Sequence, residues 1–313
     1  MARFKLLPET PNFNFMGRRT IFYIFSAILI AASIGVFSTK GMSYGIDFTG
    51  GIMIEVKTEK PNQIGSMRDT LKGLGLGSVE LQEFGASDDI LIRLQAQEGG
   101  EKAQAIAIAK VKQALGDGVE YRRTELVGPK VSDELFWNGV YAVVSAILAI
   151  LFYIWMRFEW QFGLGAVVAL SHDVISTIGI FSLLGLEFNL STVAAVLTIA
   201  GYSINDTVVV FDRVRENLRK YKTKPMEQLL NESVNETLSR TMMTSFTTLI
   251  ALGALYFLGG EIIRDFAFAM IWGVIIGTYS SVCVAVPLLL RMGVHRRTND
   301  DEGKPSTIEQ TSL

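Results

Sequence analysis

Apolar residues run in six long stretches along this chain, and polar positions break them in only a few places. Four stretches, residues 20–38, 136–156, 241–258 and 266–290, contain no charged side chain. Two more, 162–186 and 188–210, are as long and as apolar but enclose His172 and Asp173 in the first and Asp206 in the second. The hydrocarbon core of a bilayer takes about 20 predominantly apolar residues in a helix, so the pattern predicts six membrane spans, at 20–39, 136–156, 162–186, 188–210, 241–258 and 266–290. The first follows Arg18 and Arg19, as the apolar core of a secretory signal would. It is longer than such a core and lacks a small-residue cleavage site, so it reads as an anchor.

Between the first and second spans, over residues 40–135, the period changes. Positions 52–56 alternate, 61–74 read as helix, 79–84 and 90–94 as short strands, 101–115 as helix and 119–126 as a strand. The order β-α-β-β-α-β is that of a ferredoxin-like split βαβ unit, in which two helices cover one face of a four-stranded antiparallel sheet. The other face is then left for a partner. The expected fold is a polytopic α-helical membrane protein of six transmembrane helices, with a ferredoxin-like α+β domain between helices 1 and 2.

Charge placement sets the direction of the spans. Basic residues gather at Arg3, Lys5, Arg18 and Arg19, again from Arg213 through Lys224, and at Arg291, Arg296 and Arg297. By the positive-inside rule this predicts a cytoplasmic N-terminus (1–19), a cytoplasmic basic loop (211–240) and a cytoplasmic tail (291–313), with the α+β domain and the links 185–189 and 259–265 outside. The loop, with Arg213, Arg215, Arg219, Lys220, Lys222 and Lys224, is expected to be amphipathic and drawn to anionic lipid; docking of a cytoplasmic partner is the alternative.

Composition agrees with a membrane class: 49% of the 313 residues are hydrophobic and 19% charged. A net charge of -2, with no dominant basic face, speaks against nucleic acid as a partner. The single Cys283 lies inside an apolar run, has no intrachain partner and reads as packing. The α+β segment has no His, Cys or carboxylate grouping at metal-ligand spacing and no phosphate-binding glycine loop. No enzyme activity, metal or cofactor is expected.

The candidate chemistry lies in the ionisable groups within the spans. A carboxylate at membrane depth costs a few kcal/mol even on insertion scales, so Asp206 should face a bundle interior, a partner or water. Tyr202 and Ser203 lie one turn away on the same face, with Asn205 adjacent, and suggest a small polar pocket. Thr237, Arg240, Thr241, Thr244, Ser245 and Thr248, spaced by three and four, form a polar stripe on the next helix. Two readings stand: Arg240 approaches Asp206 and the carboxyl alternates between charged and neutral as a proton relay, or Asp206 packs the helix end while Arg240 snorkels to the headgroups. His172 and Asp173 project about 100° apart and are not expected to share one narrow face. Asp173, with Ser176 and Thr177 nearby, is either a second relay station or a hydrogen-bonded packing contact, and His172 either titrates or is a satisfied core imidazole. Gly273 and Gly277 suit close helix approach, and Pro287 can kink the last span.

Three motifs carry a resemblance: Gly45-Ile46-Asp47-Phe48-Thr49-Gly50-Gly51 after the first span, Val127-Gly128-Pro129 before the second, and residues 203–213, Ser-Ile-Asn-Asp-Thr-Val-Val-Val-Phe-Asp-Arg, at the end of the fourth. From about Pro11 to Leu290 the chain resembles the SecF family of bacterial protein-export subunits. Phe48 and the chain length favour SecF over its longer sister SecD. The resemblance implies membership of the resistance-nodulation-division superfamily and residence in the bacterial inner membrane. It implies pairing with SecD and association with the SecYEG channel, with YajC and YidC as further associates. It further implies a proton-driven pull on an emerging unfolded polypeptide, with Asp206 and Arg240 in proton transfer. Residues 127–132 depart from the family where Ser132 stands near a position that many relatives fill with glycine, which bears on the expected hinge between domain and membrane. The rival readings are a proton-coupled exporter of a small molecule or lipid and a non-conducting translocon scaffold.

Overall fold

The computed structural model describes residues 11–58, 64–77, 79–84, 86–259 and 263–294. Arg3, Lys5, Arg296 and Arg297, and the expected helix start at 61–63, lie outside the described residues.

Six helical segments are long and apolar enough to cross a membrane. They are α1 (Arg19–Lys40), α5 (Pro129–Arg157), α6 (Trp160–Leu184), α7 (Leu190–Lys220), α8 (Met226–Leu258), and α9 (Arg264–Ser280) continuing through a π-turn (Ser281–Ala285) into α10 (Val286–Met292). Lipid tails are as apolar as leucine, so helix association here depends on close packing and polar contacts rather than on escape from water. Small residues provide that closeness: a Cβ on Gly273 would collide with Ile199 of α7, one on Gly179 with Ser33 of α1, and one on Gly277 would lie 3.1 Å from the Ser203 Cβ. Pro287 has no N–H to give to the Cys283 carbonyl four residues back, and the π-turn ends two residues before it. Cys283 is buried in this turn.

The stretch 211–240, expected as a loop, is helical except for residues 221–225. Its charges pair across the α7/α8 hairpin instead of solvating a coil. Arg213 Nε donates to Glu236 Oε2 at 2.6 Å and Asn217 Nδ2 to the same oxygen at 2.7 Å and to Ser233 Oγ at 2.9 Å. Both helices therefore run past the apolar segments that announced them.

Between α1 and α5 lie β1 (Ser43–Tyr44), α2 (Ile46–Thr49), β2 (Gly51–Thr58), α3 (Ile64–Lys72), β3 (Val79–Phe84), β4 (Ala86–Leu94), α4 (Gly100–Leu115) and β5 (Val119–Val127). The sheet order β3-β4-β2-β5 is antiparallel throughout, which is the ferredoxin-like arrangement. Ile52, Ile54, Val56, Ile90, Ile92 and Leu94 alternate toward the helices and form the core with Met67, Leu71, Ala107 and Val111. The opposite face is less open than expected. Ile46 of α2 packs on Met53 and Leu91, and ion pairs such as Arg122–Asp89 at 3.0 Å occupy the remainder.

The motif at 45–51 joins domain to bundle. Strand β1 pairs in parallel with β6 (Glu187–Phe188), the short strand between α6 and α7. Gly45 N–H donates to the Phe188 carbonyl at 2.9 Å, and Asp47 Oδ2 accepts from the Leu190 N–H at 2.9 Å, satisfying a donor left over at the start of α7. Gly50 and Gly51 have φ of 67° and 125°, a region open to glycine at little cost, and Gly51 pairs with Val127. The chain thus enters and leaves the domain at one place. Gly128 is extended, as a residue before proline must be, and Pro129 opens α5 at a position where its missing N–H costs nothing. Ser132 is buried and its Oγ donates to the Pro129 carbonyl at 2.9 Å. A Cβ at Gly50 would lie 3.2 Å from that oxygen, so the serine closes the junction sterically.

Candidate functional site

Helices α6, α7, α8 and α9 enclose two buried carboxylates. Asp173 is fully buried. Its Oδ2 accepts from Ser203 Oγ of α7 at 2.5 Å and Ser280 Oγ of α9 at 2.8 Å, and its Oδ1 lies 3.0 Å from His172 Nδ1. Adjacent side chains leave the helix about 100° apart, and these two face different neighbours while still touching each other, both being enclosed by neighbouring helices where a carboxylate needs donors. Tyr279 stacks near the imidazole, with ring centroids 6.0 Å apart, and its hydroxyl donates to the Phe22 carbonyl at 2.9 Å. His172 Nε2 is buried without a partner among the described residues, while Ser176 and Thr177 return their hydroxyls to the Asp173 carbonyl.

Asp206 is 7% exposed and one turn further along α7 than Ser203. Its Oδ1 accepts from Thr241 Oγ1 of α8 at 2.7 Å, and its Oδ2 is buried with no partner among the described residues. Arg240, for which approach to this carboxylate and snorkelling to the headgroups were both open, is exposed on α8 and makes no hydrogen bond or ion pair among the described residues. Ser203, expected to share the Asp206 pocket, turns to Asp173. Tyr202 leaves its hydroxyl buried and unpartnered among the described residues, and Asn205 faces outward.

The stripe on α8 resolves by period. Thr237, Thr241 and Ser245, four residues apart, are buried, whereas Thr244 is exposed and Thr248 only partly buried. The last two return their hydroxyls to their own helix backbone. Ser245 Oγ meets Thr278 Oγ1 of α9 at 2.7 Å. Between the carboxylates, Thr207 Oγ1 donates to the Ser203 carbonyl at 3.1 Å and lies 2.8 Å from Ser281 Oγ.

Ser280 and Ser281 were not singled out in the sequence, because a charge-free apolar run hides hydroxyls. Two adjacent serines beside a span that carries a carboxylate were the available signal. They stand at the start of the π-turn, a feature often found at functional sites. The arrangement is two separate hydroxyl clusters, Ser203 and Ser280 on Asp173 and Thr241 on Asp206 one turn further along α7, with His172 Nε2 and Asp206 Oδ2 left without a partner among the described residues. Among the described residues no three His, Cys, Asp or Glu side chains are grouped to hold a metal ion.

Residues 107–295 match the family model of the protein export membrane protein SecD/SecF C-terminal region, and residues 35–61 match the SecD/SecF GG motif. The chain belongs to the SecF family. It is 47% identical to the protein translocase subunit SecF of Rhodobacter capsulatus, over 97% of this chain and 95% of that protein, and 43% identical to SecF of Vibrio alginolyticus over 94% of each. Among solved structures it resembles SecDF, a translocon-associated membrane protein from Thermus thermophilus, with a TM-score of 0.83 and 38% identity. The match covers 92% of this chain but 39% of that one, so this SecF-family chain corresponds to a part of the larger SecDF polypeptide. Against SecDF in its super-membrane-facing form the TM-score is 0.66.

Proposed function

We propose that this SecF-family subunit works with SecD in the bacterial inner membrane, using the proton gradient to promote late steps of polypeptide translocation through SecYEG. It acts as a transport subunit of the resistance-nodulation-division type rather than as an enzyme. Both termini are cytoplasmic and the α+β domain periplasmic, as the basic residues at the ends of α1, α5 and α7 suggest. SecD supplies the matching half of the helical unit and SecYEG the channel, with YajC and YidC as further associates.

One observation carries the reading: two carboxylates held inside a membrane bundle about one helical turn of α7 apart, each accepting hydroxyls from a different neighbouring helix. Burying such groups is costly, and they mark ion or proton paths more often than packing. Protonation of Asp206 removes the charge that Thr241 supports, and so alters the α7–α8 contact. Through α7 the change reaches Leu190, whose N–H is held by Asp47 of the domain junction. A charge crossing the field gains about 2.3 kcal/mol per 100 mV, so one proton at about 150 mV supplies roughly 3.5 kcal/mol, enough to bias a two-state movement more than a hundredfold.

The test is export of a secreted reporter in inverted vesicles with ATP and an imposed proton gradient, comparing wild type, Asp206→Asn and Arg240→Met at equal membrane abundance. Loss of the gradient-dependent part in both variants, with complex assembly intact, supports proton-coupled pulling. Unchanged export in Asp206→Asn leaves a non-conducting scaffold.

A further inference from the structure

A pocket of about 440 Å³ opens at the end of the bundle opposite the α+β domain, lined by Arg157 from α5 and by Asp212, Arg215, Glu216, Arg219 and Lys220 from α7. Its charges do not balance. Asp212 already accepts from Arg157 at 2.9 Å and Glu216 from Arg213 at 2.6 Å. Arg215 donates to the Arg157 carbonyl at 3.2 Å and stays 3.9 Å from Asp212. Arg219 is exposed and makes no ion pair or hydrogen bond among the described residues. Lys220 is exposed over the ring of Tyr221, 5.0 Å from its centroid. Four cations therefore face two carboxylates that are both engaged.

The cations are also held in place. Phe158, only 6% exposed, carries the Arg157 guanidinium 5.2 Å from its ring centroid and the Arg215 guanidinium at 5.3 Å. Cation–π attraction of this kind keeps two like charges together that would otherwise move apart. Beside them Trp155 and Trp160 are 71% and 63% exposed, and indoles in such positions sit at the level of the lipid headgroups. Other basic residues nearby are differently employed: Arg213 serves Glu236, and Lys224 is paired with Glu232.

We propose that this pocket binds the phosphodiester headgroup of an anionic phospholipid. Arg157 and Arg215 grip the phosphate as a preorganised pair, Arg219 and Lys220 add charge at the rim, and Trp155 and Trp160 set the depth. Guanidiniums suit this task because their fixed fork of donors matches phosphate oxygens. The proposal rests on the membrane placement of the six helices and not on proton coupling, so either can fail without the other.

The full chain is reconstituted in phosphatidylcholine vesicles, and quenching of tryptophan fluorescence is followed as brominated phosphatidylglycerol is added, with brominated phosphatidylcholine as the neutral comparison. Wild type should be quenched preferentially by the anionic lipid. Each basic side chain near an anionic surface contributes about fivefold, so Arg215→Gln/Arg219→Gln should lose about tenfold or more of that preference. Arg219→Gln alone, a side chain that supports nothing in the fold, should lose about fivefold and keeps the test informative if the double variant folds poorly. Arg68→Gln/Lys72→Gln, which removes two charges from the α+β domain, should change nothing. Equal quenching by the two lipids, or an undiminished preference in both pocket variants, overturns the proposal. Displacement of the lipid by millimolar inorganic phosphate also overturns it, in favour of a free-phosphate site.

Discussion

Thr241 Oγ1 donates a 2.7 Å hydrogen bond to Asp206 Oδ1, and it is the only hydrogen-bond donor that the described residues bring to that carboxylate. The contact ties the midsection of α8 to the most specific motif of the family.

Replacing Thr241 by valine keeps the volume and deletes the donor. Hydrogen bonds to charged groups contribute about 1.5–3 kcal/mol, so Thr241→Val should lower the unfolding temperature of the purified protein and reduce gradient-dependent export, with Thr241→Ser restoring both. Arg240→Met breaks no hydrogen bond or ion pair among the described residues, so its unfolding temperature should stay close to wild type. Any loss of export in that variant then reports on function alone.

Ser203 and Ser280 both donate to one oxygen, Asp173 Oδ2. Either hydroxyl can satisfy it when the other is absent. Ser203→Ala and Ser280→Ala should each cost about 1 kcal/mol, and the double variant more than the sum, by at least about 0.5 kcal/mol. Denaturant melts of the four proteins in one detergent would check this; strict additivity would argue against a shared acceptor.

Arg93 of β4 is ion-paired with Glu187 of β6, both side chains being 12% exposed, and it also donates to Ser43 Oγ at 3.2 Å. Burial lowers the Arg93 pKa, against the opposing pull of Glu80 and Asp265. This pair fastens the α+β domain to the link between α6 and α7. Arg93→Met leaves Glu187 buried and unpaired, at a cost of about 3–5 kcal/mol, and should increase proteolytic nicking near the domain junction. Arg93→Met/Glu187→Met should recover most of the loss, because no buried charge is left over.

Asn231 and Asn235 of α8 hold the chain just before α1. Asn235 Oδ1 accepts from the Phe13 N–H at 2.8 Å, Asn231 Oδ1 from the Phe15 N–H at 2.8 Å, and both amide groups donate to the Phe13 carbonyl at 2.9 Å. Asn231→Ala/Asn235→Ala should speed hydrogen exchange at Phe13, Phe15 and Met16 by roughly five- to tenfold, for about 1–1.5 kcal/mol of lost protection. Amides in the middle of α1 should keep their wild-type rates.

Much of the architecture was legible in the sequence because its determinants are local. Apolar length identifies a helix that can cross a membrane, and the alternation at residues 52–56 with its flanking helices announces the split βαβ domain. The positions of Asp173, Asp206 and Ser203 in their spans could likewise be counted along the chain. The basic stretch that forms the end of α7 and the turn into α8 was harder, since a solvated loop and a paired helical hairpin share a composition. Only the Arg213–Glu236 and Asn217–Ser233 contacts distinguish them.

Sequence by itself determined which residues lie on one face of each helix, because the helical period is set by the backbone and requires nothing from neighbours. The tertiary structure alone decided how those faces meet. Rotating a helix by a fraction of a turn changes which hydroxyl reaches a carboxylate, and that rotation is set by distant contacts: Gly273 against Ile199, Gly277 against Ser203, and the π-turn ahead of Pro287. For that reason Ser203 joins Asp173 rather than Asp206, Ser280 enters the site from an unmarked apolar run, and Thr241 rather than Arg240 hydrogen-bonds Asp206.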